Sequence, residues 1–187
     1  MSWSNIFMQL ITGAGPAVGE GLLQGWQGSI ELQSFSWTAN YKPKTKNEPK
    51  GGGSLLGAVA DAASSLIGLG GEAQFDMGQL EFTKRFDIAS AQIHTCLDNA
   101  LPVLSASITV LNIKQGGRAI HEPGFTLVAT DGLFKEASLE VHPQGNSVEL
   151  VETVKLSFQS IVVTYLKRTG KDNVPTNPFF FKRASTS

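Results

Sequence analysis

Leu80-Glu81-Phe82-Thr83-Lys84-Arg85-Phe86-Asp87-Ile88-Ala89-Ser90 begins with the pattern of a strand and ends with that of a helix. Leu80 and Phe82 face one way while Glu81, Thr83 and Arg85 face the other, the period of two that marks a half-buried strand. Lys84-Arg85 reads as a basic pair at the strand end, too small to be a binding site by itself. The period then lengthens. Asp87 or Ser90 can cap a helix, Ala89, Ile93, Cys96, Leu97 and Ala100 recur at helical spacing, and Pro102 stops it. A lone short helix among strands packs over a barrel end or a sheet face.

Strands surround this stretch on both sides. Ile6 to Ile11 is a short one, followed by a glycine-rich connection with Gly13, Gly15, Gly19, Gly21, Gly25 and Gly28. Ile30 to Tyr41 reads as one strand with a change of phase: Ile30 and Leu32 share a face, and after Gln33-Ser34 the apolar set becomes Phe35 and Trp37. Such a slip requires an extra residue, a β-bulge. It recurs around Gly78, where Phe75 and Met77 give way to Leu80, Phe82 and Phe86. It recurs again around Gln159-Ser160, where Val154, Leu156 and Phe158 give way to Ile161, Val163 and Tyr165. Long strands bent at bulges predict a sheet that curls toward a barrel. Leu104–Ile113, Gly124–Leu133 and Phe134–His142 are further strands, with turns at 115–118 and 142–146. In Phe134–His142, Ala137, Leu139 and Val141 alternate with Glu136, Ser138, Glu140 and His142, which predicts one buried and one wet face.

The chain reads as one domain over residues 1–187, with an extended loop at 41–72 and a C-terminal tail at 169–187. The loop opens with Lys42, Lys44, Lys46 and Lys50 among turn formers, continues through Gly51-Gly52-Gly53, and then carries Leu55, Leu56, Val59, Ala60, Ala63, Leu66 and Ile67 on one helical stripe. Long insertions between paired strands tend to be functional. An apolar stripe needs a cover, either its own domain or a neighbouring subunit. Lys42, Lys44, Lys46, Leu56, Val59, Ala63 and Leu66 are therefore the candidate residues for contact with a neighbouring subunit.

Composition narrows the function. Fifteen Lys+Arg against sixteen Asp+Glu give a net charge of -1, which argues against a nucleic-acid partner held by a basic surface. The N-terminus has no basic region before an apolar run, so no signal peptide is expected. Leu55 to Leu69, interrupted by Gly57, Asp61, Ser64, Ser65 and Gly68, is too short for a membrane span, so no membrane insertion is expected. A single cysteine excludes an intramolecular disulfide and fits a reducing compartment. Cys96 falls on the helix stripe as a buried structural residue, and His94, two positions away, faces elsewhere. His94, His121 and His142 are scattered and no metal-ligand spacing occurs, so neither metal nor cofactor is expected. No phosphate-binding loop is present. Asp98, Asp131 and Glu136 lie near turns without evident convergence. The chain reads as a structural protein rather than an enzyme.

The polar faces of the bent strands are rows of small, sparsely charged groups: Ser34, Ser36, Thr38 and Asn40; Gln79, Glu81, Thr83 and Arg85; Ser105, Ser107 and Thr109. In a monomer they make a solvated sheet face, and in a ring a hydrophilic channel wall. Ser34, Ser36 and Thr38 are the candidate channel-lining residues.

Three stretches resemble the haemolysin-coregulated protein (Hcp) family, the tail-tube subunit of bacterial type VI secretion systems. They are Gly28 to Trp37, Leu80 to Ser90, and Leu156 to Tyr165, and their order matches that of the family. The resemblance spans 6–168. It implies a mainly β fold, two sheets closed into a barrel with one flanking helix. It further implies six-membered rings that stack into a tube, driven by a contractile sheath, tipped by a spike protein and able to hold small effectors in the lumen. The protein would then be cytoplasmic before firing and afterwards secreted without a signal peptide. The 41–72 loop is longer and more apolar than the family's, and the tail with Asn177-Pro178-Phe179-Phe180-Phe181 departs from its pattern. A phage-like tail tube, or in another class a monomeric ligand-binding barrel, are the alternative readings.

Overall fold

The computed structural model describes residues 5–42, 74–113, 121–145, 147–169, 172–175 and 178–182. Twelve strands and one helix occur among them. In chain order they are β1 (Ile6–Thr12), β2 (Gly15–Ala17), β3 (Ile30–Ser36), β4 (Ala39–Lys42), β5 (Gln74–Met77), β6 (Leu80–Arg85), α1 (Ile88–Asp98), β7 (Val103–Ile113), β8 (His121–Gln144), β9 (Ser147–Ser157), β10 (Ser160–Thr169), β11 (Asp172–Pro175) and β12 (Phe179–Lys182). Every pairing is antiparallel. The ladders β1–β3, β3–β6, β6–β9, β9–β8, β8–β7 and β7–β1 return to their starting strand, so the sheet closes on itself. β10 continues along β8 and carries β11 and β12 on its other edge. β4 and β5 form a separate two-stranded ribbon. The mainly β, barrel-like fold with one flanking helix is as the sequence indicates.

The three phase slips turn out to be two kinds of event. Gln33 is a true bulge, the extra residue between Leu32 and Ser34 where β3 pairs with β6. Gly78-Gln79 and Phe158-Gln159 are corners: the strand ends and the chain takes a new partner. The expected single strand Ile30–Tyr41 also breaks at Trp37-Thr38, where the chain leaves the closed sheet for the ribbon. The two corners meet, with Gly78 N–H donating to Thr38 O at 2.9 Å. A Cβ on Gly78 would lie 2.4 Å from Thr38 Oγ1, so a larger residue would have to turn the Thr38 side chain aside.

In the opposite sense, the expected strands Gly124–Leu133 and Phe134–His142 are one continuous β8. Within it Asp131 adopts a left-handed φ of 55°, and the register with β9 shifts between Phe134 and Glu136. At Gly132 an added Cβ would sit 2.5 Å from Ser157 O. The turn at 142–146 is the β8–β9 hairpin, closing at Gln144 opposite Ser147. The 115–118 turn lies outside the described residues.

The interior of the closed sheet is filled by fully buried side chains, among them Met8, Ile30, Phe82, Ile108, Val154 and Phe158, with Ile93 and Cys96 of α1 closing one side. Trp37 packs against this core, its ring 6.4 Å from Phe158 and 5.1 Å edge-on from Phe181. Trp37→Ala is expected to lower stability by about 3–5 kcal/mol, the usual cost of truncating a large packed aromatic, read from the midpoint of urea unfolding.

α1 ends in a Schellman arrangement: Leu101 N–H donates to Cys96 O at 2.9 Å and Ala100 N–H to Leu97 O at 3.4 Å. Ala100 takes the left-handed φ of 50° that usually falls to glycine. The helix therefore stops through its own C-cap two residues before Pro102 becomes relevant.

Candidate functional site: a polar sheet face and a buried lysine

The strand-to-helix stretch encloses a network that its sequence reading missed. Lys84 is fully buried. Its Nζ donates to Asp87 Oδ1 at 2.6 Å, Arg85 O at 2.7 Å and Ser90 Oγ at 2.7 Å, which uses all three ammonium protons. Ser90 Oγ donates to Glu152 Oε2 at 2.9 Å and accepts from Asp87 N–H at 3.1 Å, while Asp87 Oδ1 accepts from Ala89 N–H at 3.0 Å. This is a capping box with serine at the third helical position. Glu152 is buried as well, with Lys84 Nζ 3.3 Å from its Oε2 and half-exposed His94 Nε2 2.7 Å from its Oε1. That last contact is a close approach rather than an aligned hydrogen bond. The network ties α1 to β6 and β9 through buried charged groups. The available signal was parity: Lys84 shares the buried face with Leu80 and Phe82.

On the face away from the core, β3, β6, β9 and the distal half of β8 align polar residues in rows. Ser34 stands opposite Thr83, Thr83 opposite Thr153, and Thr153 opposite Ser138. One step along, Ser36 pairs with Glu81, Glu81 with Lys155, and Lys155 with Glu136. Ser34, Ser36 and Thr38 are exposed, and Phe35 and Trp37 turn to the core. The rows are cross-linked: Thr83 Oγ1 and Thr153 Oγ1 lie 3.4 Å apart, and Lys155 Nζ donates to Glu136 Oε2 at 2.8 Å. That hydrogen bond, with the charge of Glu136 behind it, raises the Lys155 pKa above the ordinary 10.5, so the pair persists through any physiological pH. Further along, Arg85 pairs with Glu149, to which Gln33 Nε2 also donates at 3.3 Å.

The third polar row does not join this face. Ser105, Ser107 and Thr109 on β7 stand beside Ile11, Gln9 and Phe7 of β1. The two serines are partly buried and Thr109 is buried. Phe7, opposite Thr109, carries Trp26 of the glycine-rich connection stacked on it at 5.3 Å.

The remaining sequence candidates fall as follows. Lys42 is placed on β4 opposite Gln74. Lys44, Lys46, Leu56, Val59, Ala63 and Leu66 lie outside the described residues, as does Lys50. Cys96 is buried and forms no disulfide. His142 is half-exposed and contacts Glu140 at 3.1 Å. Among the described residues no cluster of three His, Cys, Asp or Glu side chains could hold a metal ion, and no helix is long and apolar enough to cross a membrane.

The closed antiparallel sheet, the helix locked beside it and the strand order together define the Hcp fold, as comparison with solved structures shows. A type six secretion system protein matches with a TM-score of 0.67 at 15% identity, over 96% of each chain. Hcp1 of Escherichia coli EAEC 042 matches with a TM-score of 0.63 at 17% identity, over 93% of this chain and 98% of that one. The secreted protein Hcp3 of Pseudomonas aeruginosa matches with a TM-score of 0.59 at 14% identity, over 96% and 98%. No protein-family profile matches the sequence, and no curated protein is similar to it in sequence.

Proposed function

We propose that this chain is the tail-tube subunit of a type VI secretion system, acting as a single domain over residues 1–187. Six copies form a ring, the rings stack into the inner tube, and the tube carries effectors. The observation that carries the reading is the four-strand polar face on an Hcp fold: rows of hydroxyls crossed by a Lys155–Glu136 pair. A conduit needs such a wall, because a passing protein must slide along it without adhering. Ser34, Ser36 and Thr38 line the channel in this reading. The loop at 41–72, with Lys42, Lys44, Lys46, Leu56, Val59, Ala63 and Leu66, supplies contacts between stacked rings or adjacent subunits.

The sheath around the tube, the spike at its tip and small effectors in the lumen are its partners. It is made in the cytoplasm and leaves by the type VI route. No catalysis is required of it. A ligand-binding barrel would need an open interior, whereas here the interior is filled by side chains such as Phe82, Met8 and Leu127.

Ser36→Trp tests the wall. The ring is expected to keep its size by native mass spectrometry while effector retention falls, since one indole from each of six subunits narrows the channel. Loss of the six-membered ring in that variant, with folding intact, would place Ser36 at a subunit contact instead.

A further inference from the structure

The β4–β5 ribbon pairs with no other strand among the described residues. Four residue pairs join it, from Ala39 opposite Met77 at its base to Lys42 opposite Gln74 at its far end. A two-stranded ribbon of that size is marginal in water by itself. Its direction must therefore be set by what packs at its base. The chain between Lys42 and Gln74 continues from its far end.

Part of the hold comes from the ribbon's own chain ends. Met77 is 2% exposed and joins the core, and Gly78 is bonded to Thr38 as described above. The rest comes from elsewhere in the chain. Trp37, one residue before that corner, contacts two other aromatic rings: buried Phe158 at the β9–β10 corner, and Phe181 edge-on at 5.1 Å.

Phe181 belongs to the C-terminal strand. β12 pairs with β10 from Ser160 opposite Lys182 to Val163 opposite Phe179, and it also lies against β5 of the ribbon. Its three phenylalanines are unequal. Phe181 is partly buried against the core, whereas Phe179 is 63% exposed and Phe180 71%. A four-pair ladder and one aromatic anchor hold the strand, and that anchor lands on Trp37 at the root of the ribbon.

We infer that β12 is a strap that fixes the direction of the β4–β5 ribbon, with Phe181 as the positioning residue acting through Trp37. The C-terminal part of the chain thereby governs how the residues between Lys42 and Gln74 are presented. The strap stands on the packing at the ribbon's base. Its consequence for assembly rests on the tube-subunit reading, in which that segment touches neighbouring subunits or rings.

Backbone amide hydrogen exchange, followed by mass spectrometry on the full-length chain, tests it. In Phe181→Ala the amides of 39–42 and 74–77 are expected to exchange about tenfold faster than in wild type, the effect of losing one edge-on aromatic contact on a local opening. Those of β1 and β7 are expected to stay protected. Phe180→Ala alters the same strand on its opposite face and is expected to leave both sets unchanged. Ribbon exchange in Phe181→Ala equal to that of wild type would overturn the strap. An equal rise over β1 and β7 would overturn it too, because Phe181 would then support the closed sheet as a whole. Rings of Phe181→Ala that stack as wild type does, with the ribbon freed, would remove the consequence for assembly. Absence of rings in the wild-type chain would overturn the tube-subunit reading, while the exchange result would still decide the strap.

Discussion

Lys84→Ala is expected to lower stability by about 3–5 kcal/mol, because it leaves the carboxylate of Glu152 buried without its cation. Asp87 and Ser90 lose a partner at the same time, so the capping box that begins α1 loosens. For a domain of this length that corresponds to a fall in Tm of roughly 6–20 °C. Pairing Lys84→Met with Glu152→Leu should recover much of the loss, since removing both charges also removes the desolvation that each imposes. Equilibrium urea unfolding followed by fluorescence gives the comparison. A Lys84→Ala variant as stable as wild type would mean that the network contributes nothing net and that α1 is held by Ile93 and Cys96 alone.

The second large effect concerns assembly rather than folding. Replacing Ser54–Leu69 with a Gly/Ser linker of equal length is expected to leave the β fold intact and to abolish stacking of rings. The replaced segment carries Leu56, Val59, Ala63 and Leu66 at helical spacing in the sequence. Each large aliphatic side chain buried there contributes roughly 1.5–3 kcal/mol. Lys42, Lys44, Lys46 and Lys50 precede it, so the wild-type association should weaken with salt. Sedimentation velocity at low and high ionic strength reads both effects. Tubes that form unchanged with the linker would exclude the loop from the contact.

Much of this was legible in the sequence because strand parity is a strong signal. The split of Ser34, Ser36 and Thr38 from Phe35 and Trp37 is in the pattern, and so is the bulge at Gln33, since a period of two cannot change phase without an extra residue. The corners at Gly78 and Phe158 give the same signature as a bulge. Only their partners distinguish the two, and partners are tertiary information.

Lys84 was misread because charge was weighed above parity. Its position on the Leu80–Phe82 face becomes comprehensible only once Glu152, far along the chain, is seen to meet it. The β8–β9 hairpin misled in the other direction: Leu139 and Val141 alternate as a buried face should, yet they are 50% and 60% exposed. Alternation reports which residues share a face and says nothing of what lies opposite. The β7 row was misjudged for a related reason: Phe7, beside Thr109, is stacked by Trp26, which comes from a connection whose glycines suggested an open loop.

The most direct test of the tube-subunit reading is negative-stain electron microscopy of the purified full-length chain across a concentration series. The account predicts six-fold rings with a central channel, and stacked rings as concentration rises. Featureless monomer-sized particles at every concentration would contradict it.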